Sequence, residues 1–223
     1  MALLPDAFLH QIFRTVYALQ LDWKRKCHVQ LMYYKLFLEV LGRIDMRPVA
    51  NHAGDSDCAL QGVSIIECIK RAGVKTIVAL PDIVTCESLL WPIKRDPDLT
   101  LIPVCAEAEG VSICAALSYC QQRSVLLIQH LGFLDSINAI RVIALEYELP
   151  VVMMLGLQGM EADRLPPQSD KLSVRIVEPI CQAMGLDYEI LLEESDVKVV
   201  ESRINQAYEQ SKPFAILIAR RPE

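Results

Sequence analysis

No uninterrupted apolar stretch in this sequence approaches the ~20 residues that a membrane-spanning helix needs, so no membrane partner is expected. There is no glycine-rich phosphate loop either, neither G-x-G-x-x-G nor G-K-[ST], which disfavours an ordinary nucleotide-binding domain. Basic residues are in deficit. The 22 Lys and Arg against 28 Asp and Glu leave a formal charge of −6, whereas nonspecific nucleic-acid binding needs a basic footprint. The eight cysteines include no C-x-x-C pair and no metal-like spacing with the four histidines, so no metal site is read from them. Cys68, Cys114 and Cys181 fall on apolar faces and read as inert core thiols. The protein is expected in a reducing, cytoplasmic compartment.

What is present is a long apolar α/β pattern. A chain of 223 residues suffices for one sizeable core. Its 52% hydrophobic content and mean hydropathy of +0.28 fit strands buried on both faces and a large apolar interface with another chain. From Leu60 onward, helices and strands alternate. Leu60–Arg71 reads as a helix with Val63, Ile66, Cys68 and Ile69 as apolar positions and Gly73 as its stop. Strands are expected over 75–80, 99–104, 124–129 and 150–156, near 188–192 and over 214–219. Helices are expected around Ser88–Leu90 up to Arg95, after Glu109, over 135–147, 172–184 and 197–210. The order predicts a doubly wound, mainly parallel sheet of about six strands with helices on both faces. Gly159–Lys171 is polar and Pro-rich, a loop or lid.

Residues 1–58 form a separate region, an extension and linker ahead of a domain over 59–223. Phe8, Leu9, Ile12, Phe13, Val16 and Tyr17 recur at helical spacing, as do Leu31, Tyr34, Phe37, Leu38 and Leu41. Asp6 and His10 interrupt the first apolar run, and Lys24, Arg25 and Lys26 come after it, so it is not a secretory signal. Two readings stand: two added amphipathic helices, or upstream sequence ahead of a start at Met46. Val49–Cys58 reads as a linker. His52, Asp55 and Asp57 sit in it and are discounted as a site, and Trp23 and Trp91 read as packing residues.

The stretch from Pro103 to Ile140 carries the strongest candidate site. Glu107 and Glu109 sit where an apolar strand hands over to a helix of small residues. In an open parallel sheet, ligands bind at the carboxyl ends of strands. The plainer reading is two solvated acids in a first helical turn, where the macrodipole favours negative charge.

The segment EGVSICAALSY, starting at Glu109-Gly110, is followed by QHLGFLDSINAI, in which Gln129, Gly132, Ser136, Ile137, Asn138, Ala139 and Ile140 recur in a second family motif. Together they resemble the pyrimidine-binding (PYR) domain of thiamine diphosphate enzymes, in particular the sulfopyruvate and phosphonopyruvate decarboxylases. The resemblance covers roughly residues 60–222.

It implies thiamine diphosphate as cofactor and a small 2-oxo acid as substrate. A PYR-domain glutamate hydrogen-bonds N1′ of the aminopyrimidine and shifts it to the imino form that takes the C2 proton, while the cofactor carries the hard chemistry. A carboxylate suits this task because its charge-assisted hydrogen bond is strong in a water-poor site. Glu109 matches that glutamate, having Gly after it and Ala116 and Tyr119 at the family's distances; Glu107 is the alternate. Pro81, in the turn ALPDIVTCESLL, and Gln129 and Gly132, after the next strand, are implied cofactor neighbours. Where the family has Gln-Asn-Ser-Gly-Leu-Gly, this chain has Gln-His-Leu-Gly-Phe-Leu. His130 is either a replacement acid/base group, with an ordinary pKa near 6.5, or a histidine merely bonded at a strand end. Asp135 reads as a helix cap. Arg164 and Gln168, in the loop Asp163–Gln168, are candidates for an anionic substrate head group, which Arg suits.

The family's diphosphate and Mg²⁺ are held by a PP domain marked by Gly-Asp-Gly and a downstream Asn. This sequence contains no Gly-Asp-Gly. The resemblance therefore implies half a site, completed by a separate PP-domain subunit in a hetero-oligomer. The alternative is a non-catalytic PYR-like partner or regulatory protein that kept the fold.

Overall fold

A computed structural model describes residues 59–223. The extension and linker read over 1–58 lie outside the described residues. Strands β1 (Thr76–Ala79), β2 (Thr100–Pro103), β3 (Ser124–Gln129), β4 (Val152–Gly156), β5 (Asp187–Leu191) and β6 (Phe214–Ile218) form one six-stranded sheet in the order β2-β1-β3-β4-β6-β5. Every pairing is parallel. The central strands are continuous apolar runs because both of their faces are covered. Along β3, Val125 and Leu127 join one core while Leu126 and Ile128 join the other. Val152 and Met154 against Met153 and Leu155 repeat the alternation on β4, as do Phe214, Ile216 and Ile218 against Ala215 and Leu217 on β6. Each such fully buried aliphatic side chain contributes roughly 1.5–3 kcal/mol. The outer strand β2 ends at Pro103, and an edge position tolerates its missing N–H.

Helix α1 (Gly62–Arg71) buries Ile65, Ile66, Cys68 and Ile69. It stops at Ala72, after which Gly73 takes φ +75°, a left-handed conformation that glycine adopts without strain. Val63, assigned by spacing to the apolar face, is 66% exposed; with apolar residues at 63, 65, 66, 68 and 69 the period fits two registers, and packing selects the one that buries Ile65. A π-helical turn (Cys86–Leu90) leads into α2 (Trp91–Arg95), and α3 spans Glu107–Tyr119. Beyond β3 come α4 (His130–Asp135), α5 (Ile137–Ala139) and a second π-helical turn (Ile140–Leu145). The helix expected from Asp135 thus begins five residues earlier, with Gln129 as its N-cap in an extended conformation (φ −81°, ψ 152°). His130 is a helix residue rather than the end of the strand. Helices α6 (Leu172–Arg175) and α7 (Val177–Met184) replace the single helix expected over 172–184. The break at Ile176 is consistent with Pro179, which has no N–H to continue the ladder back to Arg175. Helix α8 covers Lys198–Gln210.

Cys86, Leu89, Leu90 and Ile93 pack with α1 and α8 on one face of the sheet, whereas Val111, Cys114 and Ala115 of α3 pack on the other. The chain therefore leaves β1 toward one face and β2 toward the opposite one, while β1 and β3 are neighbours. The carboxyl ends of β1 and β3 are thus the topological switch point of the sheet, where open α/β sheets hold ligands.

Candidate functional site

At the end of β2, Ala106 keeps an extended backbone (φ −146°, ψ 145°) and has no polar side chain with which to cap α3. Glu109, at the third helical position, reaches back past Ala106: its Oε2 accepts the Cys105 N–H at 3.0 Å. Gly110 brings α3 close to the sheet, since a β-carbon there would lie 2.5 Å from Leu126 Cδ1. Glu107 points elsewhere. Its carboxyl lies over Gly132 of α4, and a methyl group on Gly132 would overlap it. The two acids of the turn thus divide, Glu109 toward the backbone before its own helix and Glu107 toward the turn after β3.

A second cluster forms at the ends of β1, β3 and β4. Pro81 follows β1 half-buried, and its neighbour Asp82, which sequence reasoning missed, is only 5% exposed. The Asp82 carboxylate accepts the Val84 N–H at 2.6 Å, the Thr85 N–H at 3.2 Å and the Thr85 hydroxyl. Burial raises its pKa, with these hydrogen bonds pulling the other way. A β-carbon on Gly156 would stand 2.9 Å from Asp82 Oδ1, so the end of β4 is bare where Asp82 sits. The signal for Asp82 is the run Pro81-Asp82-Ile83-Val84-Thr85, whose Pro-Asp start marks an Asx-type turn.

His130 is 1% exposed. Its Nδ1 faces both the Gly156 carbonyl and the Gln158 N–H at 3.2 Å, donating to the first in one tautomer and accepting from the second in the other. Nε2 is buried without a partner among the described residues. Burial lowers its pKa, opposed by the Gly156 carbonyl and the charge of Asp82, so His130 is neutral near pH 7. Asp82 and His130 both converge on Gly156.

Glu109, Pro81, Gln129 and Gly132 all lie at strand carboxyl ends, and Gln129 pairs with Gly156 across β3 and β4. Arg164 and Gln168 occupy the loop after β4, tied within it. Arg164 pairs with Asp170 at 2.5 Å and donates to the Gln168 carbonyl at 3.3 Å, while Gln168 Oε1 accepts the Leu165 N–H at 3.3 Å. No hydrogen bond or ion pair joins them to Glu107, Glu109 or His130. Burial pushes the thiols of Cys86, Cys114 and Cys181 up to about 12, which leaves them protonated and unreactive. Among the described residues no group of three His, Cys, Asp or Glu side chains stands ready to hold a metal ion. Nor is any helix there long and apolar enough to cross a membrane.

Fold and site together define a doubly wound, parallel α/β domain with acidic side chains, those of Asp82, Glu107 and Glu109, near its topological switch point. The chain is similar to sulfopyruvate decarboxylases. It is 26% identical over 157 residues to "Sulfopyruvate decarboxylase" of Methanosarcina acetivorans, a match covering 70% of this chain and 39% of that protein. It is 26% identical over 105 residues to "Sulfopyruvate decarboxylase subunit alpha" of Methanococcus maripaludis, covering 47% of this chain and 62% of the subunit. The subunit of the same name from Methanocaldococcus jannaschii is 24% identical over 156 residues, or 70% of this chain and 90% of the subunit. The first two matches thus span less than two thirds of those relatives' own length. No protein-family model matches the chain.

Proposed function

We propose that this chain is the pyrimidine-binding subunit of a thiamine diphosphate-dependent 2-oxo acid decarboxylase of the sulfopyruvate or phosphonopyruvate type. The observation that carries the reading is the pair of glutamates that begins α3 beside the switch point, in a chain whose relatives bear the name sulfopyruvate decarboxylase. The residues fit the cofactor's pyrimidine end. Glu109 spends one oxygen on Cys105, and a carboxylate has further lone pairs to offer, so its second oxygen is left to hold the ring nitrogen N1′. When bound, thiamine diphosphate supplies the carbanion equivalent that adds to the 2-oxo carbon and accepts the electron pair freed with carbon dioxide. Gln129 and Gly132 would border the ring. Glu107, lying over Gly132, would close the candidate site on that side and exclude water.

A partner subunit carrying Gly-Asp-Gly would hold the diphosphate and Mg²⁺. Two features support such a partner. Relatives are named as alpha subunits, and Ile83, Leu131, Leu165 and Leu172 stand exposed on the segments that follow β1, β3 and β4. Apolar side chains gathered at one edge mark an interaction surface. The burial of His130, where the family pattern has Asn, favours a second reading, a non-catalytic partner that kept the fold.

The test is to capture the tagged full chain from its native cell, identify co-purifying chains by mass spectrometry and assay bound thiamine diphosphate. A Gly-Asp-Gly-containing partner with cofactor supports the enzyme. A lone chain without cofactor at physiological Mg²⁺ moves the assignment to the non-catalytic reading.

A further inference from the structure

Arg220 follows β6 at the carboxyl edge of the sheet. Its Nη2 donates to the Arg164 carbonyl at 2.7 Å and its Nη1 to the Ala219 carbonyl at 3.0 Å. Arg71, Arg141, Arg164 and Arg203 each have a carboxylate partner; Arg220, like Arg123, has none within 4 Å among the described residues. It is nevertheless half-buried, and burial lowers its pKa while the charge of Asp163, farther away, opposes the shift. A guanidinium stays charged at any working pH, and a desolvated cation facing only neutral carbonyls is poorly compensated. Arg221 is exposed beside it, and its charge reaches Cys86 in the turn after β1.

Glu107 and Glu109 make the candidate site itself hostile to a second anionic group. Such a group has to be met by a cation set apart from the reacting carbonyl. β6 lies two strands from β3 across the sheet, and the Arg164 carbonyl that holds the Arg220 guanidinium belongs to the loop after β4, the strand between them. Arg164, the sequence candidate for this task, is already neutralised by Asp170, and its backbone carbonyl instead anchors Arg220. We propose that Arg220 recognises the second anionic group, a sulfonate or phosphonate, of the acid substrate. This inference rests on the decarboxylase reading for its substrate class, while the interaction itself needs neither cofactor nor partner.

The test uses the full chain and an unreactive probe, sulfoacetate, with acetate as the single-anion control. Sulfoacetate is expected to raise the melting temperature of the wild-type chain and of Arg221→Met, and acetate to leave both unchanged. Arg220→Met should weaken the sulfoacetate response roughly 10- to 100-fold in concentration, the loss expected for a charge-assisted hydrogen-bonded pair. An equal response in Arg220→Met, or none in the wild type, overturns the proposal. If Arg220→Met fails to fold, Arg220→Lys decides: it keeps the charge without the planar fork, and an undiminished response overturns the proposal. With the partner subunit present, Arg220→Met should raise KM for sulfopyruvate with kcat largely retained. An Arg220-dependent response in the chain, together with no decarboxylase activity once partner and cofactor are supplied, would sink the enzyme reading and keep this one. An active complex with an unchanged KM would do the reverse.

Discussion

The Glu107 carboxyl occupies the space that a β-carbon on Gly132 would take. The glycine is therefore a packing requirement of the acidic turn, linking the start of α3 to the start of α4. Gly132→Ala should displace the half-buried Glu107 side chain and destabilise the fold by up to about 1–2 kcal/mol, the strain of overpacking being partly offset by the better helix propensity of Ala, about 1 kcal/mol. Adding Glu107→Ala to Gly132→Ala should recover much of that loss. Urea denaturation of the two single variants and the double variant measures the coupling, and strictly additive effects would show that the two residues do not meet.

Glu109 has a structural duty as well as the proposed chemical one, and the two separate cleanly. Glu109→Gln keeps an oxygen that can accept the Cys105 N–H, so the melting temperature should barely move. Glu109→Ala removes the acceptor and should cost about 1 kcal/mol, the net worth of one intramolecular hydrogen bond. With the partner subunit and cofactor present, Glu109→Gln should abolish nearly all decarboxylation while the complex stays assembled. Full turnover in Glu109→Gln would transfer the acid's role to Glu107, testable by Glu107→Gln in the same assay.

The strands were legible because their chemistry is local. Val125–Ile128 and Val152–Leu155 are apolar without alternation, and only a strand covered on both faces tolerates that. The handover from β2 to the acidic turn was legible for the same reason, as an apolar run ending at two glutamates. What escaped was long-range. Asp82 reads as a turn residue, and only the fold brings Gly156 and His130 to it. Nothing near Glu107 in the chain announces Gly132 as its neighbour, so the two glutamates could not be told apart by contact. The start of α4 was read late because Gln129 serves as both the last strand residue and the helix cap.

Asp82 holds its turn together through three donors, the amides of Val84 and Thr85 and the Thr85 hydroxyl. Asp82→Ala strands all three in a buried site. With each unsatisfied donor costing about 1–3 kcal/mol and some regaining water, a net loss of about 2–4 kcal/mol is expected. Asp82→Asn keeps one acceptor oxygen and should lose less than half as much. Chemical denaturation checks both, and wild-type stability in Asp82→Ala would mean that the turn does not depend on the carboxylate.

His130 should leave a mark on the pH dependence of stability. Burial holds its folded-state pKa below the ordinary 6.5, whereas the unfolded chain takes up the proton near that value. Below pH 6.5 the unfolded state therefore binds more protons. The stabilisation from a neutral His130 is complete above pH 6.5 and is lost as pH falls through the folded value. Asp82 has the opposite sign: its folded pKa is raised above the ordinary 3.8, so its contribution is present below 3.8 and lost as pH rises through the folded value. A pH series compared with His130→Asn isolates the histidine, because the amide can still donate to the Gly156 carbonyl and does not titrate. From about pH 7.5 down to about pH 5.5, the wild type should lose stability faster than the variant. Parallel curves would mean that His130 titrates in the fold as it does in the unfolded chain. The buried, half-bonded imidazole would then be hydrated, and its unpartnered Nε2 would be open to solvent.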